Sequence, residues 1–278
     1  MSEFLKRTIS GLLFVIVLVG AIYIGHITFF ILFLAITTAT MLEFYHLGLK
    51  AKLRPQSLLG VFIGMAFFIW SYFYSSGRIE QLTLYGFVPL LVSIFVVELY
   101  RHQQKPMQNI ALTLLGIFYI ALPFSLMNFI TINGSSYSMD YNPNILLGIL
   151  FLVWANDTGA YIVGVSMGKH KMIPRISPKK SWEGFVGGIA TTLLVAWVIA
   201  MFFDEVSLKH WLAIGLITTF MAVLGDLVES MFKRSIGVKD SGKFLPGHGG
   251  LLDRFDALLM VLPMVYVYLE VMMIIYIS

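Results

Sequence analysis

The chain is 278 residues long, 58% hydrophobic and 15% aromatic, with only 12% charged residues, where a soluble domain carries about 25%. So little charge cannot clothe a water-soluble surface, and the apolar residues fall in long runs; a soluble globular fold is excluded and an all-α, polytopic integral membrane protein is expected. The formal net charge of +4 fits basic loops on one membrane face, not nucleic acid, because no basic stripe is interleaved with exposed aromatics. With no cysteine, disulfides, thiolate metal sites and cysteine nucleophiles are excluded.

A spanning helix needs about 20 mainly apolar residues. That ruler predicts about nine transmembrane helices, over 9–24, 27–47, 58–74, 82–100, 109–132, 144–167, 184–203, 208–232 and 251–277. The first two meet at Gly25 and His26; a cleaved leader is not expected, because the apolar run is long and no small-residue cleavage site follows it. Lys6 and Arg7 precede the pair and Lys50, Lys52 and Arg54 follow it, so two crossings lie between. With the N-terminus cytoplasmic and the C-terminus outside, sixteen of the nineteen Lys and Arg residues fall on the cytoplasmic side, which is the expected bias. The expected location is a prokaryotic cell (inner) membrane, with any active site facing the cytoplasm.

Two regions follow: about five helices over 1–143, and a C-terminal region over 144–278 that holds the two long cytoplasmic loops, 168–183 and 233–250. No internal repeat or low-complexity segment is present. Glu43 with His46, and Glu98 with Arg101 and His102, lie near predicted helix ends and are expected to be interfacial, where snorkelling makes them inexpensive.

Ionisable residues within spans are functional candidates by default. Asp157, Asp226, Asp253 and Asp256 come from three predicted helices and are expected at one depth, near the cytoplasmic face. Asp226, Glu229, Ser230 and Lys233 stand at i, i+3, i+4 and i+7, hence on one helical face, as do Asp253 and Asp256 at i and i+3. Such faces, separated by a basic glycine-rich loop, could hold one or two hard divalent cations with phosphate oxygens completing the shell. The plainer alternative is that Asp226 pairs with Lys233 or Arg254 and only ties helices together.

From Ser230 the chain runs SMFKRSIGVKDSGKFLPGHGGLLDRFD to Asp256. Its glycines permit positive φ and close backbone approach, and its lysines and arginine supply cations for phosphate. Gly249 and Gly250 directly precede a predicted helix N-terminus, where free N–H groups favour phosphate. Gly237 to Lys243 also spells G-x-x-x-x-G-K, but Phe244 follows where a P-loop needs Ser or Thr, so that match is chance.

The same stretch resembles the signature of the CDP-diacylglycerol synthases, or phosphatidate cytidylyltransferases. Its fixed positions are met by Ser230, Lys233, Arg234, Lys239, Asp240, His248, Gly249, Gly250, Asp253, Arg254 and Asp256. The resemblance extends to Asn156-Asp157 with Tyr161, and to Ser177-Pro178-Lys179-Lys180-Ser181 with Glu183-Gly184; Ser181 and Trp182 stand where Thr is more usual, and a hydroxyl is kept. It covers roughly the C-terminal half. It implies transfer of CMP from CTP to phosphatidic acid in the bilayer, giving CDP-diacylglycerol and pyrophosphate for phospholipid biosynthesis. It also implies one or two Mg²⁺ ions, a K⁺ ion nearby and a homodimer, with no nucleic-acid partner.

On that reading Asp226, Asp253 and Asp256 bind metal, and Lys233, Arg234, Lys239 and Arg254 contact phosphates. Asp240 orients a lysine or coordinates a second ion. His248 contacts phosphate or nucleotide, or merely braces its turn. Ser177, Lys179, Lys180, Ser181 and Glu183 contact CTP or phosphatidate, unless the lysines only anchor the loop at lipid headgroups. Asn156 and Asp157 line the headgroup cavity or serve as structural hydrogen-bonders. Two other readings compete: a CTP-using lipid kinase or related transferase, which differs in the acceptor or the phosphate transferred, and a secondary transporter. The clustered acids at one face and the absence of repeats speak against the transporter.

Overall fold

The computed structural model describes residues 3–135, 138–242 and 249–277, with side chains described outside 3–7 and 275–277. Ten α-helices dominate the described residues: α1 (Glu3–Ile24), α2 (His26–Lys50), α3 (Ser57–Ser75), α4 (Phe87–Arg101), α5 (Pro106–Gly116), α6 (Leu122–Thr131), α7 (Asn144–Met167), α8 (Trp182–Ile199), α9 (Leu208–Ser235) and α10 (Leu252–Ile277). Two short antiparallel hairpins accompany them, β1 (Ile132–Gly134) with β2 (Met139–Tyr141), and β3 (Lys171–Ile173) with β4 (Ser177–Ser181). The fold is all-α and polytopic. Among the described residues, eight stretches are long and apolar enough to cross a membrane, while α1 contributes a shorter apolar run, Thr8–Ile24.

Helices α5 and α6 form one span, Pro106–Thr131, joined by a widened π turn at Ile117–Ala121. Pro123 follows that turn; it lacks an N–H and its ring crowds the carbonyl four residues back, and the widened turn relieves that conflict without ending the helix.

The chain divides into two compact units: Met1–Asn142 with Ile236–Arg254, and Pro143–Ser235 with Phe255–Ser278. Most of the second polar loop therefore belongs with the N-terminal helices, whereas the sequence reading groups it with the C-terminal ones. The physical reason is a carboxylate on α2 that binds the loop backbone: Glu43 accepts a hydrogen bond from Leu252 N–H at 3.0 Å.

In the first unit α2, α3 and α5 close on Tyr45, whose hydroxyl donates to the Thr113 carbonyl at 2.8 Å. A Cβ at Gly60 would lie 2.8 Å, and one at Gly116 2.6 Å, from the Tyr45 Cζ, so both positions need glycine to admit the ring. Tyr141 on β2 donates to the Ile22 carbonyl at 2.6 Å, and burial pushes its hydroxyl pKa up.

Glu98, near the end of α4, is buried in the protein, 4% exposed. It accepts from Gln56 Nε2 at 2.9 Å, Asn109 Nδ2 at 2.7 Å and Arg101 at 2.6 Å. Removing this acceptor leaves N–H groups of Gln56 and Asn109 unpaired in the interior, although each nitrogen keeps one carbonyl partner. Glu98→Ala is therefore expected to destabilise the protein by about 3 kcal/mol, read as a clear fall in its thermal midpoint in detergent; an unchanged midpoint would refute the bracing role.

The second unit rests on glycine contacts between α7 and α8. A Cβ at Gly188 would fall 2.6 Å from Asn156 Oδ1, and one at Gly187 3.0 Å from the Gly159 carbonyl; small residues let the two backbones approach, as membrane helices require in the absence of a hydrophobic drive between them. Thr191 bridges them, donating to the Ala155 carbonyl at 3.1 Å. Trp211 of α9 is fully buried and fills the notch left by Gly148.

Candidate active site

Helices α9 and α10 bring two carboxyl groups together. The Asp256 side chain lies beside that of Asp226, and its Oδ1 accepts from Ala257 N–H at 2.8 Å. Gly225 makes this possible: a Cβ there would lie 3.0 Å from Ala257 Cα and 3.1 Å from the Asp256 carbonyl carbon, backbone atoms that have no room to yield. Asp256 is buried, 8% exposed. Lys180 at the end of β4 forms an ion pair with Asp226 and donates to the Val223 carbonyl at 3.4 Å. Glu229, buried in α9, pairs with Lys233 at 2.6 Å one turn on and adds its negative charge to the field at Asp256.

The ion-pair partner of Asp226 therefore comes from the first polar loop, whereas Lys233, its expected alternative partner, binds Glu229. Two carboxyl groups held side by side repel each other unless a proton or a cation compensates them, so this is a place suited to positive charge. Their oxygens are the hard donors Mg²⁺ takes, and Mg²⁺ is commonly held by one or two carboxylates plus waters and phosphates. Among the described residues no three His, Asp or Glu side chains form a ready metal shell. The cluster thus fits a cation that arrives with other ligands of its own.

Asp253 lies one turn before Asp256 on α10 and is engaged with the loop backbone. Its carboxylate accepts from Ser241 N–H at 3.2 and 3.3 Å and from Gly250 N–H at 3.0 Å. Gly249 has φ +85, and a Cβ on it would meet Asp253 Oδ2 at 2.8 Å, so the glycine is needed on both counts. Lys239 and Asp240 sit on an exposed turn, Arg234 is exposed at the end of α9, Ser230 is half-buried and Arg254 is exposed on α10. His248 lies outside the described residues.

The first polar loop is the β3–β4 hairpin, too short and too polar to show as strands in the sequence. Ser181 caps α8 by accepting from Gly184 N–H at 3.2 Å. Glu183 ties the hairpin's base: it accepts from Lys169 N–H at 3.2 Å, from His170 N–H at 3.1 Å, and bonds His170 Nδ1 at 2.6 Å. Ser177 is half-buried and Lys179 exposed. On α7, Asn156 is buried and donates to Asp157 at 3.4 Å, while Asp157 and Tyr161 are exposed.

Glu43 has a role that its position near a helix end does not reveal: it binds the start of α10, and an acid within a 25-residue apolar helix is the signal that points to it.

The model of the cytidylyltransferase family matches residues 5–272. A protein of Staphylococcus haemolyticus (strain JCSC1435) named phosphatidate cytidylyltransferase is 33% identical over 267 residues, covering 95% of this chain and 98% of that protein. The chain belongs to the cytidylyltransferase family. Another protein of that name, from Haemophilus influenzae, is 32% identical with 93% of this chain and 96% of that protein covered. One from Staphylococcus saprophyticus is 46% identical over 160 residues, 57% of this chain and 58% of that protein. The cytidylyltransferase match runs through both compact units, so the N-terminal helices belong to the family as much as the signature loop does.

Proposed function

We propose that this protein is a phosphatidate cytidylyltransferase, transferring CMP from CTP to phosphatidic acid for phospholipid biosynthesis. A phosphatidate oxygen attacks the α-phosphorus of CTP, the bond to the β-phosphate breaks, and CDP-diacylglycerol and pyrophosphate form. The observation that carries this reading is the Asp226–Asp256 pair at an ion-paired lysine, on helices flanking a loop that meets the family signature, in a chain whose full-length relatives bear that name.

The phosphatidate oxygen is already anionic near neutral pH, so a strong general base is not needed; the barrier is repulsion between two phosphates. Mg²⁺ held by Asp226 and Asp256 would neutralise charge on the α-phosphate and the leaving pyrophosphate. Asp253, one turn earlier on α10, is proposed as a further metal ligand on the strength of the motif. Lys233, Arg234, Lys239 and Arg254 position the anionic reactants, and Gly249 and Gly250 let the loop backbone approach them closely. Lys180, already held at Asp226, keeps a cation beside the reacting phosphates. Asp240 orients a lysine or coordinates a second ion, and Asn156, Asp157, Ser177, Lys179, Ser181 and Ser230 supply polar contacts to the substrates or to the loops that hold them. The proposal includes a cytoplasmic N-terminus, a site open to cytoplasmic CTP, an inner-membrane location, a K⁺ ion and a homodimer.

The deciding experiment gives the purified protein phosphatidic acid, Mg²⁺ and CTP labelled in either the α or the γ phosphate. Label from the α position is expected in the lipid. Label from γ would identify a kinase instead, and no CTP-dependent lipid labelling at all would overturn both.

A further inference from the structure

Glu43 lies in α2, a candidate span, about two turns before the helix ends. An acid there is costly unless its oxygens are occupied, and they are occupied by the signature loop. Glu43 Oε2 accepts from Leu252 N–H at 3.0 Å. This amide belongs to the start of α10, where helix geometry leaves N–H groups without partners and favours negative charge. Two loop glycines make room for it. A Cβ on Gly242 would lie 2.8 Å from Glu43 Cδ, and one on Gly250 would lie 2.8 Å from the Gly242 nitrogen.

Asp253 reaches into the same loop from the other side, to Ser241 N–H and Gly250 N–H. Two carboxylates that repel each other are thus held near one another by the donors between them. Removing Glu43 would leave the Leu252 amide without this acceptor, and among the described residues Asp253 would be the carboxylate still bound to the amides of Ser241 and Gly250.

We propose that Glu43 is a positioning residue for cytidylyl transfer: it caps α10 from another helix and fixes the loop so that Asp253 is set for the reaction. This rests on the proposed function in one respect, the involvement of Asp253 in the chemistry.

The test uses the full chain in lipid nanodiscs, with Glu43→Ala and Glu43→Gln compared with wild type. Hydrogen exchange is read over the loop peptide without substrate, alongside kcat, KM for CTP and the thermal midpoint. For Glu43→Ala, exchange at 249–252 is expected to rise selectively, kcat to fall about 10- to 100-fold, and KM for CTP to stay within about threefold, since misplacement of a catalytic group by about 1 Å costs on that order. Glu43→Gln keeps one acceptor oxygen but adds a donor among donors, so it should fall between, and it carries the test if the alanine variant does not fold. Unchanged loop exchange, unchanged kcat, or a parallel loss of kcat and thermal midpoint without selective exchange would each overturn the proposal. If wild type forms no CDP-diacylglycerol, the functional reading fails while the exchange data still report whether Glu43 holds the loop.

Discussion

Asp256→Asn is expected to lower CDP-diacylglycerol formation to below about one-thousandth of wild type, because a bound metal contributes several kcal/mol of transition-state stabilisation and each 1.4 kcal/mol or so is tenfold in rate. The fold should not suffer. In wild type the Asp256 carboxyl is buried against that of Asp226, which disfavours two negative charges; an amide of the same shape donates to Asp226 without that repulsion. The variant should therefore melt at or above the wild-type midpoint in detergent while losing turnover, the pattern expected where a site is kept at the expense of stability. Activity within tenfold of wild type at saturating Mg²⁺ would remove Asp256 from the metal assignment.

Gly225→Val should cost at least about 100-fold in rate, through geometry and not through chemistry. The added Cβ would meet Ala257 Cα at 3.0 Å and the Asp256 carbonyl carbon at 3.1 Å, so α9 and α10 must separate where Asp226 and Asp256 meet. Overpacking of this kind also destabilises by about 1–3 kcal/mol, so the thermal midpoint should fall, in contrast to Asp256→Asn. Normal turnover by Gly225→Val would mean that the close approach of these helices is dispensable.

Much of this was open to inspection in the primary structure, for reasons specific to membranes. Water is absent from the bilayer core, so spans must be long apolar helices, and runs such as 144–167 and 251–277 lie within a residue of α7 and α10. The i, i+3 spacing of Asp253 and Asp256 likewise follows from helical geometry alone. Partners distant in sequence were not legible. Nothing in the pattern links Lys180 to Asp226, or Glu43 to Leu252, because those contacts depend on how helices are packed side by side. Glu98 misled for a related reason: near Arg101 it reads as a snorkelling pair, and only the packing of Gln56 and Asn109 around it reveals a buried brace.

The ion pair between Lys180 and Asp226 has a consequence for biogenesis. A newly inserted chain has to settle acidic helices into the bilayer before any substrate or divalent ion has been captured, and an uncompensated carboxylate at that stage opposes insertion. Lys180 provides the compensating charge from within the polypeptide, on a hairpin outside the apolar helices. The acidic face of α9 thus has a counter-charge supplied by the same polypeptide.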